Sequence, residues 1–172
     1  MGLRILITEE QIRVRISEIA AQIDADYPDG KLYLIPILKG ACFFLADLAR
    51  AVKRDAYIDF MGISSYGDQK TSSGQVQVTK DLGSQIEGMH VIVVEDIVDT
   101  GFTLNYLMGV LRQRHPASLA IAALLDKPSR RIRPVEEVRY VGFQIPDEFV
   151  VGYGLDFNEK YRNLGYVAVL GE

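Results

Sequence analysis

Residues 90–104 read HVIVVEDIVDTGFTL, and the reading of this stretch decides the fold. After His90 come four apolar residues, Val91 to Val94, a run too short for a helix and suited to a strand buried on both faces. The run stops at two acids, Glu95 and Asp96, and a third, Asp99, follows. Thr100, Gly101 and Phe102 then lead into a periodic segment, Thr103 to Arg114, that reads as a helix ended by Pro116. The expected local order is therefore a strand from His90 to Val94, an acidic loop to Phe102, and a helix.

The same alternation extends in both directions. Thr8 and Gln11 have the spacing of a capping box, and Ile12, Ile16, Ile19, Ala20 and Ile23 recur at helical intervals, predicting a helix from about Glu9 to Ala25. Lys31 to Leu38 and Tyr57 to Ile63 read as strands, with a helix from Ala41 to Arg54 between them. Ser64 to Ser84 carries Gly67, Gly74 and Gly83 and one alternating stretch from Gln75 to Thr79, so it reads as a flexible two-stranded excursion. Leu119 to Leu125, Val138 to Phe143, Phe149 to Val151 and Val167 to Leu170 are further strands. This pattern predicts an α/β fold with a mainly parallel, twisted sheet flanked by helices. In such sheets ligands lie beyond the carboxyl ends of the strands, here Lys39-Gly40, Ser64 to Tyr66, Glu95 to Thr103 and Asp126-Lys127.

Composition narrows the function. The chain has 172 residues, which fits one domain, and a net charge of −4, which counts against nucleic acid as the main partner. Its basic cluster, Arg130, Arg131, Arg133 and Arg139, reads most simply as a solvated edge. Cys42 is the one cysteine, so an internal disulfide or a thiolate metal cluster is ruled out and a reducing cytoplasm is expected. Residues Met1 to Ile7 lack the apolar core of a signal peptide, and no run approaches the ~20 apolar residues of a membrane span.

The chemistry concentrates in residues 95–103. Small residues at a helix start leave backbone N–H groups free, and the helix dipole favours an anion there. Thr100 and Thr103 add hydroxyls, which makes a phosphate cradle. Glu95 and Asp96 repel a phosphate but suit sugar hydroxyls and a hard cation. A sugar phosphate with a magnesium-bound diol satisfies both halves.

VIVVEDIVDTGFTL resembles the phosphoribosyl pyrophosphate (PRPP) signature of the type I phosphoribosyltransferases. Leu38-Lys39-Gly40, Ser64 to Gly67, Leu124 to Lys127 and Pro146 to Asp156 occur in the order seen in the hypoxanthine-guanine branch of that family, so the likeness covers the chain from about residue 30 onward. The resemblance implies a Rossmann-like single domain, residues 1–172. Its core would span about 8–140, with a small hood from about 141–172 and the N-terminal residues, and a flexible lid. It implies a purine salvage transferase that moves the 5-phosphoribosyl group of PRPP to hypoxanthine or guanine, giving IMP or GMP and pyrophosphate. Two other readings stay open: a phosphoribosyltransferase for xanthine or a pyrimidine, and a PRPP- or nucleotide-sensing regulator that contacts RNA.

The family's roles pass to matching positions. Glu95 and Asp96 would hold the ribose hydroxyls, directly or through Mg2+, and Asp156 would ligate a second magnesium. Ile97, Val98, Asp99, Thr100, Gly101, Phe102 and Thr103 complete the segment around the 5-phosphate, with Asp99 as general acid or base for the purine. Relatives often carry lysine at the position of Phe102. Lys39, Gly40, Ser65, Tyr66 and Arg162 would meet pyrophosphate, and some relatives hold the Leu38-Lys39 peptide cis. Lys127 would donate to the 6-oxo group, an acceptor that adenine lacks. Phe149 would stack on the base, Val150 would offer its backbone to the base edge, and Asp156 would belong to the same purine-binding set. The resemblance also implies a homodimer or homotetramer, small-molecule substrates, and neither membrane nor nucleic acid as partner.

Overall fold

The computed structural model describes residues 2–66 and 75–171. Thr8 caps the first helix as the sequence predicts: its hydroxyl accepts from the Gln11 amide at 3.2 Å and the Gln11 side chain accepts from the Thr8 amide at 2.8 Å. Helix α1 runs Glu9–Asp26 and is followed by strand β2, Leu32–Leu38, helix α2, Cys42–Ala51, and strands β3, Ala56–Ile58, and β4, Met61–Tyr66. Strand β5, Gln75–Lys80, leads to β6, His90–Val98, and helix α3, Phe102–Arg112. Strand β7, Ser118–Asp126, a short 3-10 turn at Pro128–Arg130, and β8, Val138–Gln144, complete the main sheet. Strands β1, Leu3–Ile7, β9, Val150–Val151, and β10, Val167–Leu170, form a second sheet.

The large sheet has the order β5-β4-β2-β6-β7-β8, with β3 also paired to β2. All pairings are parallel except β4 with β5. Alternation along the strands divides two layers. Leu32, Leu34, Ile92, Val94, Ala122 and Leu124 face α1 and α2. Tyr33, Ile35, Val91, Val93, Ile121 and Ala123 face Leu104, Leu107, Met108 and Leu111 of α3. Burial on both faces explains why these strands are continuously apolar. The small sheet has the antiparallel order β1-β10-β9 and joins Leu3 to Leu170 and Val169 to Val150.

Three local expectations shift. Strand β6 does not end at Val94: its ladder with β7 continues through Glu95–Ala123, Ile97–Leu125 and Val98–Asp126, so the acids sit on a strand. The run from Tyr57 to Ile63 is two strands, because the Asp59 carboxylate accepts from the amides of Phe60, Gly83 and Ser84 and fixes a break. Residues 3–7 form β1, which the sequence reading did not assign. Gly67 to Gly74 of the expected lid lie outside the described residues. Among the described residues no helix is long and apolar enough to cross a membrane.

Candidate active site

The carboxyl ends of β2 and β6 and the start of α3 enclose a cavity of about 240 Å³. Its wall includes Gly40, Glu95, Asp96, Ile97, Asp99, Thr100, Gly101 and Thr103. The helix start has the expected property. Gly101 is its N-cap at φ 92, no side chain caps it, and the amides of Thr100 to Thr103 meet no acceptor among the described residues. Thr100, Gly101 and Thr103 line the cavity, so the helix N-terminus meets it with its amides unspent. Gly101 must be glycine twice over: its φ is left-handed, and a Cβ would strike the carbonyl of Arg133.

Beside this cradle Glu95 is buried and Asp96 half-buried. Burial pushes the Glu95 carboxyl well above the usual carboxylate range, and the charge of Asp96 pushes it further. Burial also raises Asp96, against the opposing hydrogen bond from the Ile97 amide at 2.7 Å. Such a pair gains from a cation or from sugar hydroxyls. No group of three or more His, Cys, Asp or Glu suited to a metal occurs among the described residues. A metal here would therefore complete its shell with ligand oxygens, the habit of Mg2+ at two carboxylates.

Lys39, Gly40, Asp156 and Arg162 form the neighbouring wall. Gly40 abuts Asp96 so closely that a Cβ would collide with its carboxylate, and Gly154 packs on the Gly40 carbonyl. Arg162 donates to the Gly154 carbonyl at 2.6 Å and pairs with Asp156 at 3.2 Å and Glu159 at 3.1 Å. Lys39 pairs with the same Glu159 at 3.0 Å, and the Leu38–Lys39 peptide is cis. Nε of Arg162 is buried with no partner among the described residues. Strand β4 carries the backbone of Ser65 and Tyr66, and their side chains lie outside what is described.

Lys127 is buried at the end of β7, with Nζ 3.9 Å from Asp147. Phe149 is 54% exposed and meets Phe157 edge-on at 5.8 Å, so one ring face is open, while Val150 is buried and paired to Val169. Within residues 95–103, Val98 and Phe102 do not line the cavity, and Lys39, Lys127, Phe149, Val150, Asp156 and Arg162 lie outside its wall. Val98 is fully buried behind it, and the Phe102 ring turns outward under the Arg133 guanidinium at 5.3 Å. Arg130, Arg133 and Arg139 are exposed, as a solvated edge requires, and only Arg131 is half-buried. Arg130 holds Asp99, Arg131 holds Asp126 and the Asp99 carbonyl, Arg133 covers Phe102, and Arg139 pairs with Asp26. Sequence reasoning missed these pairings, together with Glu159 and Asp147, because each joins residues that no local pattern links.

An acid pair on a strand beside a helix start with unspent amides, on a parallel sheet of this order, is the arrangement expected of a nucleotide-building transferase. Residues 6–158 match the phosphoribosyl transferase domain, and the chain belongs to that family. Its relatives include the hypoxanthine phosphoribosyltransferase of Haemophilus influenzae, 48% identical over 95% of this chain and 92% of that protein. The hypoxanthine-guanine phosphoribosyltransferase of Bacillus subtilis is 45% identical over 97% and 92%. Among solved structures, a Staphylococcus aureus hypoxanthine phosphoribosyltransferase superposes with a TM-score of 0.94 at 47% identity, covering 98% of this chain and 91% of that one.

Proposed function

We propose that this enzyme transfers the 5-phosphoribosyl group of PRPP to hypoxanthine or guanine, giving IMP or GMP and pyrophosphate. The observation that carries the reading is the juxtaposition of buried Glu95 and half-buried Asp96 with the four unspent amides of Thr100 to Thr103. Its two halves match the diol and the 5-phosphate of one ribose. The relatives' names supply the purine.

The roles follow from chemistry. The amides and hydroxyls of residues 100–103 anchor the 5-phosphate, and Glu95 and Asp96 orient the ribose hydroxyls. Lys39, Gly40 and Arg162, with Ser65 and Tyr66, receive pyrophosphate, where the fork of Arg162 suits phosphate oxygens. Lys127 donates to the 6-oxo group, Phe149 stacks on the ring, and Val150 presents its backbone to the base edge. Asp99 takes or returns the proton of the purine's imidazole nitrogen as the ribose passes through an oxocarbenium-like state. Magnesium is the metal we assign, held by Glu95 and Asp96 and, at a second position, by Asp156. When bound it supplies positive charge against the leaving pyrophosphate.

We read the small sheet as a hood over the purine, part of one domain. We place the enzyme in the cytoplasm, as a homodimer or homotetramer. The test is turnover with PRPP and Mg2+ against hypoxanthine, guanine, xanthine and uracil. Faster turnover with xanthine or uracil than with either expected base would replace the assignment.

A further inference from the structure

The arginines at positions 130–133 point to a part of the site that the reaction's own groups do not include. Asp99 and Thr100 each turn a carbonyl away from the cavity, and each carbonyl is held. The Asp99 carbonyl accepts from Arg131 Nε at 2.9 Å. The Thr100 carbonyl accepts from the amides of Ile132 at 2.9 Å and Arg133 at 3.0 Å. A trans peptide is planar, with its C=O and the next N–H on opposite sides. Fixing the Asp99 carbonyl outward therefore fixes the Thr100 amide inward, and fixing the Thr100 carbonyl does the same for the Gly101 amide. Donors directed at an anion are most effective when their orientation is set before the anion arrives.

We propose that Arg131 is a positioning residue for the anion cradle, using Asp126 as its anchor to aim the peptide that carries the Thr100 amide. Asp126 ends β7, is 7% exposed, and accepts from the second arm of the Arg131 guanidinium. Its own backbone is locked, because its carbonyl accepts from the Ile145 amide at 2.9 Å and its position pairs with Val98 and Gln144. A planar guanidinium spans two acceptors in a fixed geometry, which a lysine ammonium does not reproduce. The inference rests on the reading that residues 100–103 receive the 5-phosphate.

The test measures calorimetric affinity for a nucleoside 5′-monophosphate and for the same nucleoside without phosphate, together with the thermal midpoint. Arg131→Ala strands a buried carboxylate and lowers the midpoint. The double variant Asp126→Asn, Arg131→Ala removes that charge and recovers much of the midpoint. In both variants the monophosphate should bind about 10-fold or more weakly, the scale of a lost charge-assisted hydrogen bond, while the nucleoside changes less than about 2-fold. Arg131→Lys should behave like the alanine variant in phosphate affinity. Recovery of phosphate affinity along with the midpoint in the double variant, or equal losses for the two ligands, overturns the positioning role. A wild-type enzyme that binds the two ligands equally instead overturns the cradle reading, and the positioning role with it.

Discussion

Nε of Arg130 donates to Oδ1 of Asp99 at 2.8 Å, and the same guanidinium lies 3.6 Å from Asp147. The side chain assigned to the purine's proton is thus held by an arginine before any purine is present. Both partners are roughly two-fifths exposed, and a pair so placed contributes no more than about 1 kcal/mol. A purine can displace it at a cost of about 5-fold or less in binding. Arg130→Gln should therefore change kcat/KM for hypoxanthine by less than about 5-fold. Asp99→Asn should lower kcat by about 100-fold or more with little change in PRPP affinity. Initial rates at saturating PRPP read both, and undiminished turnover in Asp99→Asn would strip that residue of its acid/base role.

Lys127 offers only donors, and it offers them from a buried position. Lys127→Gln keeps a donor but adds an acceptor that an amino group can use. Hypoxanthine kcat/KM should fall by about 100-fold, and the preference for hypoxanthine over adenine should narrow. Competition between the two bases measures the ratio, and a preference left intact argues for recognition elsewhere.

Gly40 leaves no room for a Cβ against the Asp96 carboxylate. Gly40→Ala must move the acid or the loop, and overpacking of this kind costs about 1–3 kcal/mol. The KM for PRPP should rise about 10-fold or more, beyond any change in the KM for purine. Equal changes in both would show that the loop serves the whole fold and not the PRPP side.

Tyr153 is buried and its hydroxyl donates to Asp47. Burial first, then the hydrogen bond and the charge of Asp47, hold its phenol far above the ordinary value. A phenol whose folded pKa is raised contributes its full stability below about pH 10 and loses it as the unfolded chain begins to ionise above that point. The thermal midpoint should therefore fall less steeply from about pH 9.5 to 11 in Tyr153→Phe than in the parent. Tyr140, raised in the same direction by burial and Asp26, should flatten the profile further when changed to Phe. Parallel profiles would mean that the phenols ionise freely in the folded state.

The elements whose evidence is local were legible in the sequence. Thr8 and Gln11 announce α1, the apolar run of β6 announces a doubly buried strand, and Glu95 to Thr103 announces the acid pair and the uncapped helix start that share a cavity. What was hidden depends on distant partners. Leu3 to Ile7 becomes a strand because residues near 168 lie beside it. Glu95 to Val98 stays extended because β7 continues the ladder past the apolar run. Asp59 breaks a strand by binding amides 24 and 25 residues away. Arg131 looks like surface charge until Asp126 and the Asp99 carbonyl are seen around it.

The pairing of Leu3 with Leu170 joins almost the two extremes of the described sequence. Val150, beside Phe149, to which we assign base stacking, is tied to that same sheet through Val169. During synthesis on the ribosome residues 95–103 are made well before β10, whereas Val150 gains its partner Val169 only once that strand is made.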